Sequence, residues 1–333
     1  MLTHHQKLWV IVVLNNPCNF ARRVNLFSDF VKRMSETKNV NLCIVELAYG
    51  SHKHVVDQCD IQDHVRKGSE NKIIKLQTNR PMLWQKENLI NIGLSQLPAD
   101  WQYVAWIDAD ISFAKVDWVE ETLKKLQIYQ VVQLFSHAVD MGPMDEIMKT
   151  ATGFAFCYHR LWQKQNTNTQ PTKKKIANYS LTNKKLDVYW HPGYAWACTR
   201  SAMETIGQLF DKGICGSGDH HFACCMIGEG KHSVPSGISE DYRMHILQLQ
   251  ERCEKLHQSI GYVDGTIFHY WHGKKRDRKY QERWTILKSN KYEPSKDVFY
   301  DWQGLLIMCP SKIKLRTDLQ QYFQERNEDS VDL

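Results

Sequence analysis

At 333 residues, with 42% hydrophobic and 24% charged side chains, the chain has the balance of a folded globular protein, built as one large α/β domain or two modest ones. Its 43 Lys and Arg against 37 Asp and Glu leave a net charge of +6, which suits an anionic small ligand and gives no clear basic stripe for nucleic acid. Ten cysteines without a C-x-x-C pair or regular spacing argue against a zinc cluster and a disulfide framework. Cys43 and Cys157 sit in apolar runs, as buried reduced thiols do, so a reducing, cytoplasmic compartment is expected.

The first apolar run, WVIVVLNN (9–16), reads as a strand too short to cross a bilayer, and Pro17 or Asn19 turns it into an amphipathic helix over 20–34. A second strand is expected over 40–50, closed by Gly50, and a third over 71–78. The helix that follows, from Leu83 to Leu97, shows an apolar face of Leu83, Leu89, Ile90, Ile92 and Leu94. The apolar run that opens YVAWIDADISF (103–113) reads as the fourth strand. Strands separated by helices need crossovers, so the spacing predicts a mainly parallel sheet with right-handed connections, a Rossmann-like half. Neither G-x-G-x-x-G nor a P-loop follows the first strand, which argues against a dinucleotide dehydrogenase or a kinase.

The fourth strand ends in Asp108 and Asp110, where strands of such sheets emerge towards their ligands. Two hard oxygen donors so close together suit Mg²⁺ or Mn²⁺ carrying a diphosphate. A helix over 116–126 and a strand over 131–139 come next, and the Lys-rich stretch 161–186 reads as an insertion or lid.

A second cluster runs from His191 to Ala223. Gly193, Tyr194 and Trp196 form a small-plus-aromatic patch suited to a sugar face, with core packing as the rival reading. The turn Gly216-Ser217-Gly218 then presents Asp219 at the start of a helix, either as a cap or as a base for an acceptor hydroxyl, with Gly218 and His220 beside it.

The third cluster, GTIFHYWHGKKRDRKYQERW (265–284), carries His269 and His272 at the end of a short strand, then Lys274, Lys275, Arg276 and Arg278. Strand alternation puts His269 and Trp271 on one face and starts a loop at His272, so one of the two histidines is expected to complete the Asp coordination. The basic run suits the charge of a departing diphosphate. A helix over 280–290 and a segment through Asp297, Trp302 and Leu306 are expected to pack on the core. The acidic end, with Glu325, Glu328, Asp329 and Asp332, is expected to fray.

The order of WVIVVLNN, KENLINIG, WIDADISF, HPGYAWACTR, GSGDHHF and HYWHGKKRDRKY, over roughly residues 8–306, resembles the nucleotide-sugar glycosyltransferases of the GT-A fold. In particular it resembles stand-alone members from phages, giant viruses and bacteria. The resemblance implies a mixed, mainly parallel sheet flanked by helices and a C-terminal acceptor-side subdomain. It divides the chain into a nucleotide-sugar half (1–140), an acceptor half (141–309) and a tail (310–333). By resemblance, Asp108 and Asp110 are the metal and nucleotide-sugar motif, His272 or His269 is the later metal ligand, and Asp219 stands where inverting members carry their base. Asn15 and Glu46 would lie near nucleobase and ribose, and Lys86 and Asn88 near the donor. One departure is G-S-G-D-H-H in place of paired acids, which leaves the stereochemistry open.

The function implied is metal-dependent transfer from a nucleoside diphosphate sugar, with UDP favoured, to a hydroxyl on a glycan or glycoprotein. A sugar nucleotidyltransferase would share the sheet and the Asp-bound metal but should carry a Gly-rich phosphate loop where Asn15, Asn16 and Pro17 stand. A non-enzymatic carbohydrate- or nucleic-acid-binding module accounts for Trp196, Trp271 and the basic run, and leaves Asp108 and Asp110 unexplained.

Overall fold

In the computed structural model, which describes residues 6–66, 70–164 and 190–332, the opening apolar run forms β1 (Leu8–Asn15). It pairs in parallel with β2 (Val40–Tyr49), and β2 with β3 (Lys72–Thr78). β4 (Tyr103–Ile107) lies in parallel on the other side of β1. The continuous apolar runs of β1 and β2 follow from burial on both faces. Trp9 and Ile11 face one core layer with Cys43, Val45 and Leu89, while Leu8, Val10 and Val12 face the other with Phe27, Phe30 and Val31 of the helix Ala21–Glu36.

After β4 the chain leaves the large sheet. Asp108 to Asp110 make a turn, and β5 (Ile111–Phe113) starts a second sheet. β6 (Val131–Gln133) returns to the first sheet, and β7 (His137–Met141) and β8 (Ile147–Gly153) belong to the second. β9 (Trp190–His191) joins β8, and β10 (Ala195–Thr199) inserts antiparallel between β4 and β6. β11 (Ile260–Tyr262) extends the first sheet, β12 (Thr266–His269) lies between β5 and β7, and β13 (Val298–Tyr300) pairs with β14 (Leu306–Met308). The result is a mixed, mostly parallel seven-stranded sheet, β11-β6-β10-β4-β1-β2-β3, flanked by helices, beside a five-stranded sheet. This is the α/β class expected.

Three expectations change. The strand over 131–139 is two strands, because Ser136 and His137 turn to donate their amides to Gly265 O (2.9 and 3.1 Å) and carry the chain between sheets. The helix expected from Leu83 to Leu97 spans Lys86–Ser95. The end of the chain is packed: the helix Ile313–Glu325 buries Leu315, Leu319, Tyr322 and Phe323, and Glu328 is 1% exposed. The lid expected over 161–186 lies, from residue 165 on, outside the described residues. Among the described residues no helix is long and apolar enough to cross a membrane. Burial pushes the Cys43 thiol up to about 12 and the Cys157 thiol to about 11, as in reduced core cysteines.

Candidate functional site

The turn after β4 is pinned between the two sheets. Asp108 N donates to Tyr194 O beside β10 (2.8 Å), and Asp110 O accepts from Tyr270 N beyond β12 (2.8 Å). The two acids therefore meet different partners.

Asp110 faces both histidines. Its Oδ2 lies 3.0 Å from His272 Nε2 and 3.8 Å from His269 Nε2, and the two Nε2 atoms are 3.2 Å apart. The expectation that one histidine faces the acids fails because β12 ends at His269, so strand alternation does not extend to His272. Both rings are buried. His269 Nδ1 is held by Asp140 Oδ1 at 2.9 Å, and His272 Nδ1 lies 3.5 Å from Glu328 Oε2. Asp140 also takes a hydrogen bond from Tyr194 Oη at 3.2 Å and pairs with Lys275. Burial pushes the Asp110 carboxyl up, but the imidazoles of His272 and His269 outweigh it and hold the carboxyl well below the usual range. Burial lowers the pKa of His269, against the pull of Asp140 and Asp110.

This donor set fits a divalent cation. Asp110 Oδ1 is buried with no hydrogen-bond partner, and the Nε2 atoms of both imidazoles lie beside Asp110, with a carboxylate on the Nδ1 side of each: hydrogen-bonded for His269, and at 3.5 Å without a hydrogen bond for His272. One carboxylate with two imidazoles suits a first-row transition-metal dication better than the all-oxygen ions Mg²⁺ and Ca²⁺. Asp108 stands outside this group among the described residues.

Asp108 instead pairs with Lys86. The Lys86 ammonium, at the start of the helix Lys86–Ser95, lies 2.5 Å from Asp108 Oδ1 and 2.9 Å from Asp219 Oδ2, bridging residues far apart in the chain. Burial, reinforced by Asp219 and Asp110, raises Asp108 to about 7 in spite of Lys86. Asp219 sits in the first turn of the helix Gly218–Met226. The turn before it needs left-handed backbone at Gly216 (φ 94°) and Ser217 (φ 82°), which Arg283 braces by donating to Cys215 O (3.1 Å) and Ser217 Oγ (2.5 Å). Gly218 is small for a reason: a Cβ there would stand 2.2 Å from Glu87 Oε1. At Gly193 a Cβ would meet Asp219 Oδ2 at 3.2 Å, so glycine keeps the carboxylate's surroundings open.

The cation-ligand group and the lysine-bridged acids line one cavity of about 1040 Å³ at the carboxyl edge of the sheet. Of the residues singled out from the sequence, Asn15, Lys86, Asp108, Asp110, Gly193, Tyr194, Asp219, His220, His269, His272, Lys275 and Arg278 line it. Arg278 is buried with its Nε lacking a partner, and its guanidinium donates to Tyr280 Oη at 3.2 Å, so it is poised for an anion.

Glu46, Asn88, Trp196, Gly218 and Lys274 do not line the cavity. Glu46 is spent on backbone, accepting from Val55 N (2.6 Å) and Val56 N (3.0 Å). Asn88 ties its helix to Gly304 O and Leu306 N. Trp196 is fully buried, edge-on to Phe222, with its indole N–H given to Pro192 O, so core packing is the correct reading. Tyr194, at φ 76°, stacks one face flat on His191 at 3.9 Å and is 8% exposed. The cavity walls also include the aromatics Trp84, Tyr280 and Trp284, which sequence reasoning did not assign. It also missed Asp140 and Glu328, which carry no local motif.

Fold and site together define a Rossmann-like α/β protein with a carboxylate–imidazole group and a lysine-bridged acid pair in one cleft. No protein-family model and no curated protein matches the chain. Among solved structures it is similar in fold to GT-A nucleotide-diphospho-sugar transferases. One is a mannosyltransferase from Pyrobaculum calidifontis in complex with GDP-Man and Mn²⁺ (12% identity, covering 98% of this chain and 72% of that one, TM-score 0.44). Another is Drosophila β-1,4-galactosyltransferase 7 in complex with manganese, UDP-Gal and xylobiose (10%, 91% and 94%, 0.38). A third is S. aureus TarS 1–349 in complex with UDP-GlcNAc, where the match spans about half of that chain (11%, 68% and 54%, 0.38).

Proposed function

We propose that the protein is a metal-dependent glycosyltransferase that moves a sugar from a nucleoside diphosphate donor, a UDP-sugar in the favoured case, to a hydroxyl of a glycan or glycoprotein. The observation that carries this reading is the joining of two groups in one cleft: Asp110, His269 and His272 converging as cation ligands, and Lys86 joining Asp108 to Asp219.

In this reading Asp110, His269 and His272 hold Mn²⁺, which when bound supplies Lewis-acid neutralisation of the diphosphate. Arg278, with its unpartnered Nε, adds a fixed positive charge beside it. Asp108 and Lys86 hold the donor, with Asn15 near its nucleoside. Asp219 accepts the proton of the acceptor hydroxyl as that oxygen bonds to the anomeric carbon and the bond to the diphosphate breaks, its electron pair leaving with the diphosphate. Attack from the face opposite the leaving group inverts the anomeric centre.

The test is purified protein with Mn²⁺ and a panel of UDP- and GDP-sugars, following release of the nucleoside diphosphate and sugar transfer. Metal-dependent turnover of at least one donor is expected. Absence of hydrolysis and transfer, together with no metal-dependent nucleotide binding, would refute the reading.

A further inference from the structure

Each of the two imidazoles has a buried carboxylate behind it. For His269 that group is Asp140, close by in the same sheet. For His272 it is Glu328, near the far end of the chain, 1% exposed, with Oε2 3.5 Å from His272 Nδ1.

The tail that brings Glu328 there is fixed on several sides. Arg23 pairs with its carboxylate, donating from Nη2 to Oε1 at 2.9 Å, and Arg326 Nε donates to Oε1 at 2.5 Å. Asp329 accepts from Ala21 N (3.0 Å) and Arg22 N (2.7 Å), at the start of the helix Ala21–Glu36. Trp271 Nε1 donates to Ser330 O at 2.6 Å, and a Cβ at Gly273 would stand 2.7 Å from Asn327 O. The neighbours of His272 on both sides, Trp271 and Gly273, thus rest on the tail. The opening segment of the first helix is clamped to the same tail.

We propose that Glu328 is a positioning residue for His272, holding the Nδ1–H form of the ring so that Nε2 faces Asp110 as a cation ligand, and that this one carboxylate of the tail therefore sets the cation affinity of the cleft. The proposal rests on the reading of Asp110, His269 and His272 as a cation site. A carboxylate behind a ligating histidine fixes the tautomer and strengthens the ring as a donor, and its loss weakens metal binding. Both arginines that pair with Glu328 would otherwise be left with uncompensated charge, so the residue also anchors the tail. A test must separate these two roles.

The experiment is calorimetric titration of the full-length protein with Mn²⁺ alone, comparing the intact chain with Glu328→Gln, Glu328→Asp and Asp329→Ala. The protonated nitrogen of His272 is read in parallel by ¹⁵N NMR without metal. Glu328→Gln is expected to weaken Mn²⁺ binding about tenfold to a hundredfold and Asp329→Ala, which loosens the tail without touching His272, by less than about threefold. Glu328→Asp keeps the charge that pairs Arg23 and Arg326, so it folds even where the glutamine variant does not, and it too should bind Mn²⁺ more weakly. The intact chain should show Nδ1–H at His272, and the glutamine variant a shift towards Nε2–H.

Unchanged Mn²⁺ affinity in both Glu328 variants, or an equal loss in Asp329→Ala, would overturn the proposal. If the intact chain binds no Mn²⁺, the cation reading itself fails. The tautomer then decides the positioning role, and an unchanged His272 in the Glu328 variants would overturn it.

Discussion

Replacing Lys86 by Met is the perturbation that best probes the cleft. Its ammonium is the counter-charge shared by Asp108 and Asp219, at 2.5 and 2.9 Å, with the lysine side chain 13% exposed and the carboxylates 24% and 25% exposed. Each contact is worth on the order of 6–7 kcal/mol at an effective dielectric constant near 20, before the cost of desolvation. Removing one partner of a buried pair usually costs about 3–5 kcal/mol, and the partial exposure of the two acids brings the expected loss to about 2–4 kcal/mol. The loss should depend on pH. Burial and the neighbouring acids already raise Asp108 to about 7, so its folded pKa lies above the unfolded value of 3.8. A raised carboxyl contributes stability that is fully present below its unfolded pKa and lost as pH rises through the folded one. Without Lys86 that folded pKa moves higher still, and forcing ionisation at pH 8 costs more than in the intact chain. Guanidinium unfolding of both proteins at pH 5 and pH 8 should therefore show a small difference at pH 5 and the full difference at pH 8. Equal stability at pH 8, or a deficit unchanged between the two pH values, would refute the reasoning.

Saturating Mn²⁺ at about a hundred times its dissociation constant should stabilise the intact chain by about 2.7 kcal/mol, seen as a raised melting temperature that a chelator reverses. Asp110→Asn should abolish that shift, whereas Asp108→Asn should keep it and lose donor binding, measured by calorimetry with a nucleoside diphosphate. Asp219→Asn should leave Mn²⁺ and donor binding unchanged and reduce kcat by about 10²–10⁴, the usual worth of a general base, in a steady-state transfer assay. Burial holds His220 down to about 4 and His191 to about 3, so both lower-than-usual values favour the folded state above the unfolded 6.5. That stability is lost as pH falls from 6.5 through 4 and towards 3, and His220→Gln should flatten the upper part of the loss in a pH series followed by circular dichroism.

The parallel strands were readable because burial on both faces leaves an unbroken apolar run, as in β1 and β2. Asp108, Asp110 and Asp219 were readable because strand ends and helix starts have local signatures. What escaped was set by long-range packing. Asp140 lies in an ordinary-looking strand, and only the pairing of β7 with β12 brings it to His269. Glu328 lies in an acidic, polar end that reads as frayed, and only its docking against Arg23 and Trp271 shows otherwise. Trp196 misled for a related reason: an aromatic between small residues suits a sugar platform and a packed strand alike. Its partner across the sheet, Trp106, settled the matter by turning the same way into the core against Phe222. Glu46 was a carboxylate in a strand with no visible partner in sequence, and the amides of Val55 and Val56 absorb it.

The separation of the two acids of the D-x-D follows from the turn that carries them. Asp108 still hangs from the first sheet through Tyr194, and Asp110 already belongs to the second through Tyr270. One small residue between them, Ala109, is therefore the junction of the two sheets, and each acid inherits the chemistry of its own side. On the first sheet's side, Lys86 and Asp219 arrive from helices that start at the carboxyl edge. On the second, His269 and His272 arrive from the end of β12, each backed by a carboxylate. Under the proposed reaction the anionic leaving group belongs with the cation ligands and the acceptor hydroxyl with Asp219, so the bond that breaks is spanned by the D-x-D itself.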